Sequence, residues 1–390
     1  MLGQVLRGLM RGRSAPVGMA RPGFATPPAA PAPRTAMPML QALASRVAAG
    51  LQQAPGDNFD AERWGDERGP RAMEASRAVS EQCLTTLLQW PAEFQAAWQR
   101  FEDETSRSLF IDLLAYRLLG HRHVRLPLDA ARHWHQRARA AAMAFAPSQI
   151  SGPFGAMQRF RVEFAGAPIV LDAYPGNVAW TFLLGQYHFS RGAVTVAPHA
   201  GDVVIDAGAC FGDTALAFAD SVGGKGRVHA FEVDAGNLQV AQCNLSANAA
   251  LSARVEMHER ALGRESGTLY LHGSGPGARV LSQPGGLPVT VTRIDDFVAE
   301  AGLPRVDFVK MDIEGAEFDA LQGAVETIGR WRPRLAVSVY HHVGDLARIA
   351  NWIAGLGLGY RLYLEHYTIH HEETVLYALP AGARLQCPPQ

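Results

Sequence analysis

The stretch that most constrains this chain is VVIDAGACFGDTALAFA, residues 203–219. Val203, Val204 and Ile205 form an apolar run suited to a buried strand. The chain then turns between Asp206 and Gly212, with Gly208 inside the turn. Leu216, Ala217 and Ala219 continue as a helical apolar face. Asp213 and Thr214 stand where a first helical turn favours acidic and capping side chains. A strand, a glycine-containing turn and a helix, in that order, open a Rossmann-like sheet. The turn reads DxGxxxG. A dinucleotide loop of the GxGxxG kind offers bare N–H groups to a pyrophosphate at a helix N-terminus. Acids on both sides of the turn work against that ligand.

Strand and helix patterns alternate from Gly201 onward. Further strands are predicted at 227–231, 254–258, 306–311 and 335–339, and helices at 235–248, 294–301, 315–328 and 346–356. Residues 268–271 and 289–291 read as an added hairpin around a Gly/Pro-rich loop at 273–288. Two last strands, 360–364 and 374–379, are joined by a loop too short for a helical crossover, so they form an antiparallel edge. The predicted fold is α/β: a mostly parallel, seven-stranded, Rossmann-like sheet with an antiparallel edge strand and both faces covered.

Ligands of such sheets bind at the carboxyl ends of the strands. There the sequence places Asp206, Glu232, Glu259, Asp312, His341 and His342. An acidic rim suits a cofactor with a cationic head and no phosphate. S-adenosylmethionine offers a sulfonium, an ammonium and a ribose diol. Asp206 would attract the ammonium, and Glu232 would accept from the ribose hydroxyls. Gly208 and Gly212 would let backbone approach the methionine portion, because neither carries a Cβ. Asp213 and Thr214 complete the expected cofactor set.

Upstream, residues 1–56 contain no Asp or Glu and are rich in Arg, Ala and Pro. They read as a disordered basic arm, with an organelle transit peptide as the alternative to a cytoplasmic protein. Residues 57–150 carry helical stripes and read as a helical region, and 151–200 as a β-hairpin and a lead-in to the sheet. His121, His123, His133 and His135 lie in the helical region without a shared helix face for a metal. The sheet domain spans 201–380, and 381–390 is a tail. Net charge is −1, with 48% hydrophobic and 19% charged residues, which gives no basic excess for nucleic acid. Cys83, Cys210, Cys243 and Cys387 form no CxxC pair and no His/Cys zinc spacing, so neither a disulfide nor a metal is expected. No apolar run approaches the length of a membrane span. Oligomeric state is not readable.

The chain from about residue 187 to 379 resembles the FkbM family of S-adenosylmethionine-dependent methyltransferases. The resemblance rests on residues 203–219, VHAFEVDAGNLQVAQCNLSAN (228–248), ERALG (259–263), VDFVKMDIEGAEFDALQGA (306–324) and PRLAVSVYHH (333–342). SRSLFIDLLAYRLLGHRHVRLP (106–127) is similar to the upstream part of longer members. Val233 stands where that family commonly has Pro, and Glu259, a candidate adenine contact, where it commonly has Asn. The resemblance implies the class I methyltransferase fold and O-methylation of a hydroxyl on a sugar, polyketide or similar small-molecule or glycan acceptor.

Asp312, Glu314 and Glu317 then fall where substrate meets the methyl group, although helix capping alone also accounts for acids there. An alcohol acceptor needs its proton removed, so His341 or His342 is the expected base, with Asp312 orienting it or the hydroxyl. His366, with His370 and His371, is a weaker candidate on the acceptor side. Two other readings compete: a dinucleotide-dependent oxidoreductase on a similar sheet, and a non-catalytic binding module that keeps the fold.

Overall fold

The computed structural model describes residues 37–52, 58–67 and 69–382. Most of the basic arm, and the end of the expected tail, lie outside the described residues. Where the arm is described it is not disordered: Pro38–Gln52 is a helix, α1, that buries Met39 and Leu43. Among the described residues, no helix is long and apolar enough to cross a membrane.

Before the first strand come four more helices of eight residues or longer among the described residues: α2 (Pro70–Gln89), α3 (Pro91–Arg100), α4 (Glu104–Leu119) and α5 (Ala130–Ala142). Asp103 caps α4, its side chain accepting from the Ser106 N–H at 2.7 Å. Leu109, Phe110, Leu113 and Leu114 of α4 join Leu335, Leu362 and Leu376 of the sheet in one hydrophobic core. The helical region therefore covers one sheet face rather than standing apart. Its predicted end is corrected: residues 144–150, placed in the helical region, belong to β1 (Ala144–Gly152). This strand pairs antiparallel with β2 (Gly155–Glu163), and β2 with β3 (Pro168–Ala173). Alternating exposure along 144–152 is what a half-buried strand needs, and it outweighs the helix propensity of the preceding alanines.

The main sheet holds β4 (Val203–Ala207), β5 (Arg227–Phe231), β6 (Val255–His258), β7 (Phe308–Met311), β8 (Arg334–Ser338), β9 (Arg361–His366) and β10 (Thr374–Leu379). Their order across the sheet is β9-β10-β8-β7-β4-β5-β6. All neighbours are parallel except β10, which runs antiparallel to both β8 and β9. This is the expected α/β class with its antiparallel strand. Every residue of β4, β7 and β8 is buried, as parallel strands covered on both faces require. The added hairpin is present as Gly267–His272 against Leu287–Thr292. The predicted helix at 315–328 is instead two short ones, Glu317–Gln322 and Val325–Trp331. Gly323 lies at the break, where a Cβ would sit 2.1 Å from the Gly263 carbonyl oxygen, so only glycine fits there.

The chain leaves β4 toward β5 and β6 on one side and toward β7 and β8 on the other. The order therefore reverses between β4 and β7, and the crevice above that switch point is where open α/β sheets bind ligands.

Candidate functional site

A cavity of about 190 Å³ opens at that crevice. Its walls come from the segments that follow β4 (Gly208, Cys210, Asp213, Thr214), β5 (Glu232, Asn237), β7 (Asp312, Glu314) and β8 (Tyr340), with Trp180, Gln186 and Tyr187 from the lead-in. Five acids line it, Asp213, Glu232, Asp312, Glu314 and Glu373, against two cations, Arg260 and Lys310. Arg260 is tied to Glu300 at 2.8 Å, and Lys310 to Asp206 at 3.2 Å, so the wall keeps an excess of negative charge.

The turn after β4 has left-handed backbone at Gly208 (φ 81°), Cys210 (φ 47°) and Gly212 (φ 76°). At Gly208 the requirement is absolute, since a Cβ would lie 1.8 Å from the Asp312 carbonyl oxygen. This contact brings the loops after β4 and β7 together. Glu232 accepts from the Cys210 N–H (2.9 Å) and from the Val233 and Asp234 N–H groups (2.7 and 2.8 Å), which fixes its carboxyl at the cavity wall. Burial pushes its pKa up, and those N–H donors pull against the rise. Asp213 accepts from the Thr181 hydroxyl at 2.7 Å.

Asp206 departs from its expected place. It is fully buried, accepts from the Thr214 hydroxyl at 2.7 Å and pairs with Lys310 Nζ, and it does not line the cavity. Its partner does. Lys310 donates to the carbonyls of Ala207 and Gly208 (3.1 and 2.6 Å) and faces the Tyr187 ring at 5.1 Å. Burial alone would lower its pKa, yet Asp206 and Asp312 raise it, so the ammonium stays charged. Gly212 is the left-handed cap of the helix Asp213–Val222 and does not line the cavity. Glu259 is exposed, and its neighbour Arg260 reaches the wall in its stead.

Asp312 lines the cavity at the carboxyl end of β7. Tyr187 donates its hydroxyl to Oδ2 at 2.7 Å, and Tyr340 donates to Oδ1 at 3.1 Å. Neither histidine expected as a base reaches the cavity. His342 is exposed and packs on Gly315. His341 has a side chain only 4% exposed among three carboxylates, with Nδ1 3.1 Å from Glu317 and Nε2 3.5 and 3.7 Å from Glu314 and Asp312. Burial opposes its charge, but Glu317, Glu314 and Asp312 outweigh burial and hold its pKa well above the ordinary 6.5. An imidazolium at neutral pH cannot take a proton, so His341 is corrected from a base to a buried counter-ion. Asp312, Glu317 and His341 are close enough together to hold an ion.

Glu317 is fully buried and accepts from the Ile313 N–H at 2.8 Å, which fixes the turn carrying Glu314 (φ 57°). It is a buckle behind the wall, not a substrate contact. His366 is likewise corrected. It is buried, its Nδ1 is 2.8 Å from the Thr374 hydroxyl, and burial drives its pKa well below 6.5. Because the folded pKa of His341 is raised, the stability its charge confers is complete below about 6.5, the unfolded value, and is lost as pH climbs through the folded pKa. Thermal melts of the wild type should fall across that alkaline window. His341→Gln should flatten that slope and cost about 3–5 kcal/mol near neutrality, the scale of orphaning a buried charge. Unchanged melting at neutral pH would contradict the buried ion pair.

The sequence reading missed Glu373. This residue lies between the last two strands at φ 63°, lines the cavity and accepts from Gln186 Nε2 at 2.7 Å. Burial, with the Asp312 carboxylate adding to it, pushes its pKa up to about 8. The helical region holds its loop in place. Arg117 of α4 donates to the His371 carbonyl at 3.0 Å, Arg63 pairs with Glu372 at 2.8 Å, and Asp60 lies 3.5 Å from His370.

The residues present fit S-adenosylmethionine. The acids suit its cationic groups, and the glycine at 208 lets the loops after β4 and β7 close on each other at the cavity wall. Two buried polar atoms of cavity-lining residues, Trp180 Nε1 and Asn237 Oδ1, have no partner among the described residues.

Residues 206–362 match the family model described as the methyltransferase FkbM domain. A 2-O-methyltransferase, NoeI, of Sinorhizobium fredii is 42% identical over 48 residues, which is 12% of this chain and 20% of that relative. A methyltransferase FkbM from Methylobacillus flagellatus KT has a solved structure 22% identical, covering 76% of this chain and 60% of that one, with a TM-score of 0.48. Aeropyrum pernix fibrillarin, solved with natively bound S-adenosylmethionine, is 12% identical over 60% of this chain and 99% of its own, with a TM-score of 0.32. The chain thus spans about a fifth of the curated relative and 60% of the FkbM structure.

Proposed function

We propose, on the premise that residues 206–362 of this chain are a methyltransferase FkbM domain, that the protein moves the methyl group of S-adenosylmethionine to a hydroxyl. The acceptor class is a sugar, polyketide or similar metabolite, in line with the 2-O-methyltransferase named for the matching relative. The observation that carries this reading is the acid-lined cavity at the switch point, with Glu232 on one side and Asp312 and Glu373 on the other. An acidic wall disfavours a dinucleotide pyrophosphate.

The bound cofactor would supply an activated methyl on a sulfonium. Glu232 would hold the ribose hydroxyls, with Asn237 beside it. Asp213 and the Gly208 backbone would flank the methionine portion. Asp312, itself fixed by Tyr187 and Tyr340, would orient the acceptor hydroxyl. Glu373 would accept the hydroxyl proton, its raised pKa placing its basicity near operating pH, where a general base is most effective. Tyr187, Trp180 and Tyr340 would exclude water. Positioning then supplies much of the rate, since in-line transfer needs a near-attack geometry.

The test is methyl transfer from S-adenosylmethionine labelled in its methyl group to a panel of sugars, glycans and polyketides. The reading expects label in at least one hydroxyl acceptor, with Glu232→Ala weakening cofactor binding and Asp312→Asn chiefly lowering turnover. Label appearing only on nitrogen acceptors would overturn the O-methylation, and normal behaviour of both variants would overturn the site.

A further inference from the structure

A second side-chain cluster lies outside the cavity, on the edge of the main sheet. His229 of β5 stands opposite Glu256 of β6, and Phe231 opposite His258, in parallel register. Alternate strand positions share a face, so both histidines and Glu256 project to one side. His229 Nδ1 and His258 Nε2 are 3.3 Å apart. The Glu256 carboxylate oxygens lie 3.5 Å from His229 Nδ1 and 3.9 Å from His258 Nε2. One ligand atom from each residue falls within 4.8 Å of the others.

These separations match a known edge. Ligands at 2.0–2.1 Å from a tetrahedral ion are about 3.3–3.4 Å from one another. The histidine nitrogens are already at that spacing, and a small rotation of Glu256, whose side chain is 67% exposed, brings its oxygen to it. The histidines are held from behind: the His229 and His258 rings pack on Phe297 at 5.4 and 4.7 Å, and His258 stacks on Phe231 at 4.8 Å. Phe231 in turn lines the cavity. Two imidazoles and one carboxylate, with an open side toward solvent, are the donor set of a zinc-class divalent ion.

The geometry points to a zinc-class metal site formed by His229, Glu256 and His258, which clips the edge strand β6 to β5 beneath the cavity wall. Such a site is independent of the methyl-transfer reading. A shared N–H···N hydrogen bond between the two rings is the competing account of their approach, and it predicts no metal uptake.

The experiment is titration of the chelator-stripped full-length protein with Zn²⁺ by calorimetry, and with Co²⁺ by visible absorption. The site predicts one ion per chain, a tetrahedral-type Co²⁺ spectrum, and a rise in melting temperature with Zn²⁺. H258Q should abolish that binding, and E256Q, a change at an exposed side chain that leaves the core intact, should weaken it by about tenfold or more. D312N should leave it unchanged. Absence of uptake, uptake that survives H258Q and E256Q, or uptake lost in D312N instead would overturn the assignment.

Discussion

Glu373→Gln is expected to lower turnover by about a hundredfold to ten-thousandfold, the range that a positioned general base contributes. Cofactor affinity should stay near that of the wild type, because the carboxyl faces the acceptor side beside Asp312 rather than Glu232. The substitution keeps the hydrogen bond with Gln186 within reach of the new side-chain oxygen, so the loss reports the proton acceptor and not the shape of the loop. The pH profile carries the sign. A carboxyl with its pKa raised to about 8 is an effective base only when deprotonated, so wild-type turnover should climb with pH and level off above about 8. The variant should lack that rising limb. Turnover within a few-fold of the wild type, or a profile of unchanged shape, would remove Glu373 from the chemistry.

Gly208→Ala should have the second largest effect. An L-residue in left-handed backbone already costs about 1–2 kcal/mol. The added methyl also meets the Asp312 carbonyl oxygen at 1.8 Å, and backbone cannot rotate out of the way as a side chain can. The loops after β4 and β7 must separate, which shifts Cys210 and Asp312 away from each other. We expect affinity for S-adenosylmethionine to fall by about a hundredfold or more, equivalent to about 2.8 kcal/mol. Gly212→Ala is the control. It shares the left-handed backbone, but its nearest neighbour would be the Ala241 methyl at 3.3 Å, so its effect should be smaller. Equal, small effects of the two substitutions would show that the close approach at Gly208 does not matter.

The strands of the sheet were legible because their signal is local. Residues 203–207, 308–311 and 334–338 are built on short apolar stretches such as Val203–Ile205 and Leu335–Val337, and strand and helix periods alternate around them. Gly208, Glu232 and Asp312 were legible as strand-end residues, since the fold alone sends strand ends to the crevice. Asp206 was misread for a three-dimensional reason: Lys310, on the neighbouring strand β7, neutralises it before any ligand can. That lysine left a trace in the sequence, the one cation inside VDFVKMD. His341 was misread because its character depends on three acids gathered around it, all of them in the MDIEGAE segment and brought to it only by the fold. Glu373 left less trace, being one acid in a polar loop whose burial depends on Gln186 and on the helical region. The His229–Glu256–His258 cluster was invisible as spacing because its histidines are 29 positions apart and meet only through strand pairing.

The central claim is that the acid-lined cavity holds S-adenosylmethionine and not a dinucleotide. Calorimetric titration of the purified chain with S-adenosylmethionine and with NAD, on the wild type and on Glu232→Ala, tests it most directly. The account predicts one S-adenosylmethionine per chain in the wild type, clearly weakened binding in Glu232→Ala and no NAD binding in either. Binding of NAD without S-adenosylmethionine, or S-adenosylmethionine binding indifferent to the loss of the Glu232 carboxyl, would contradict it.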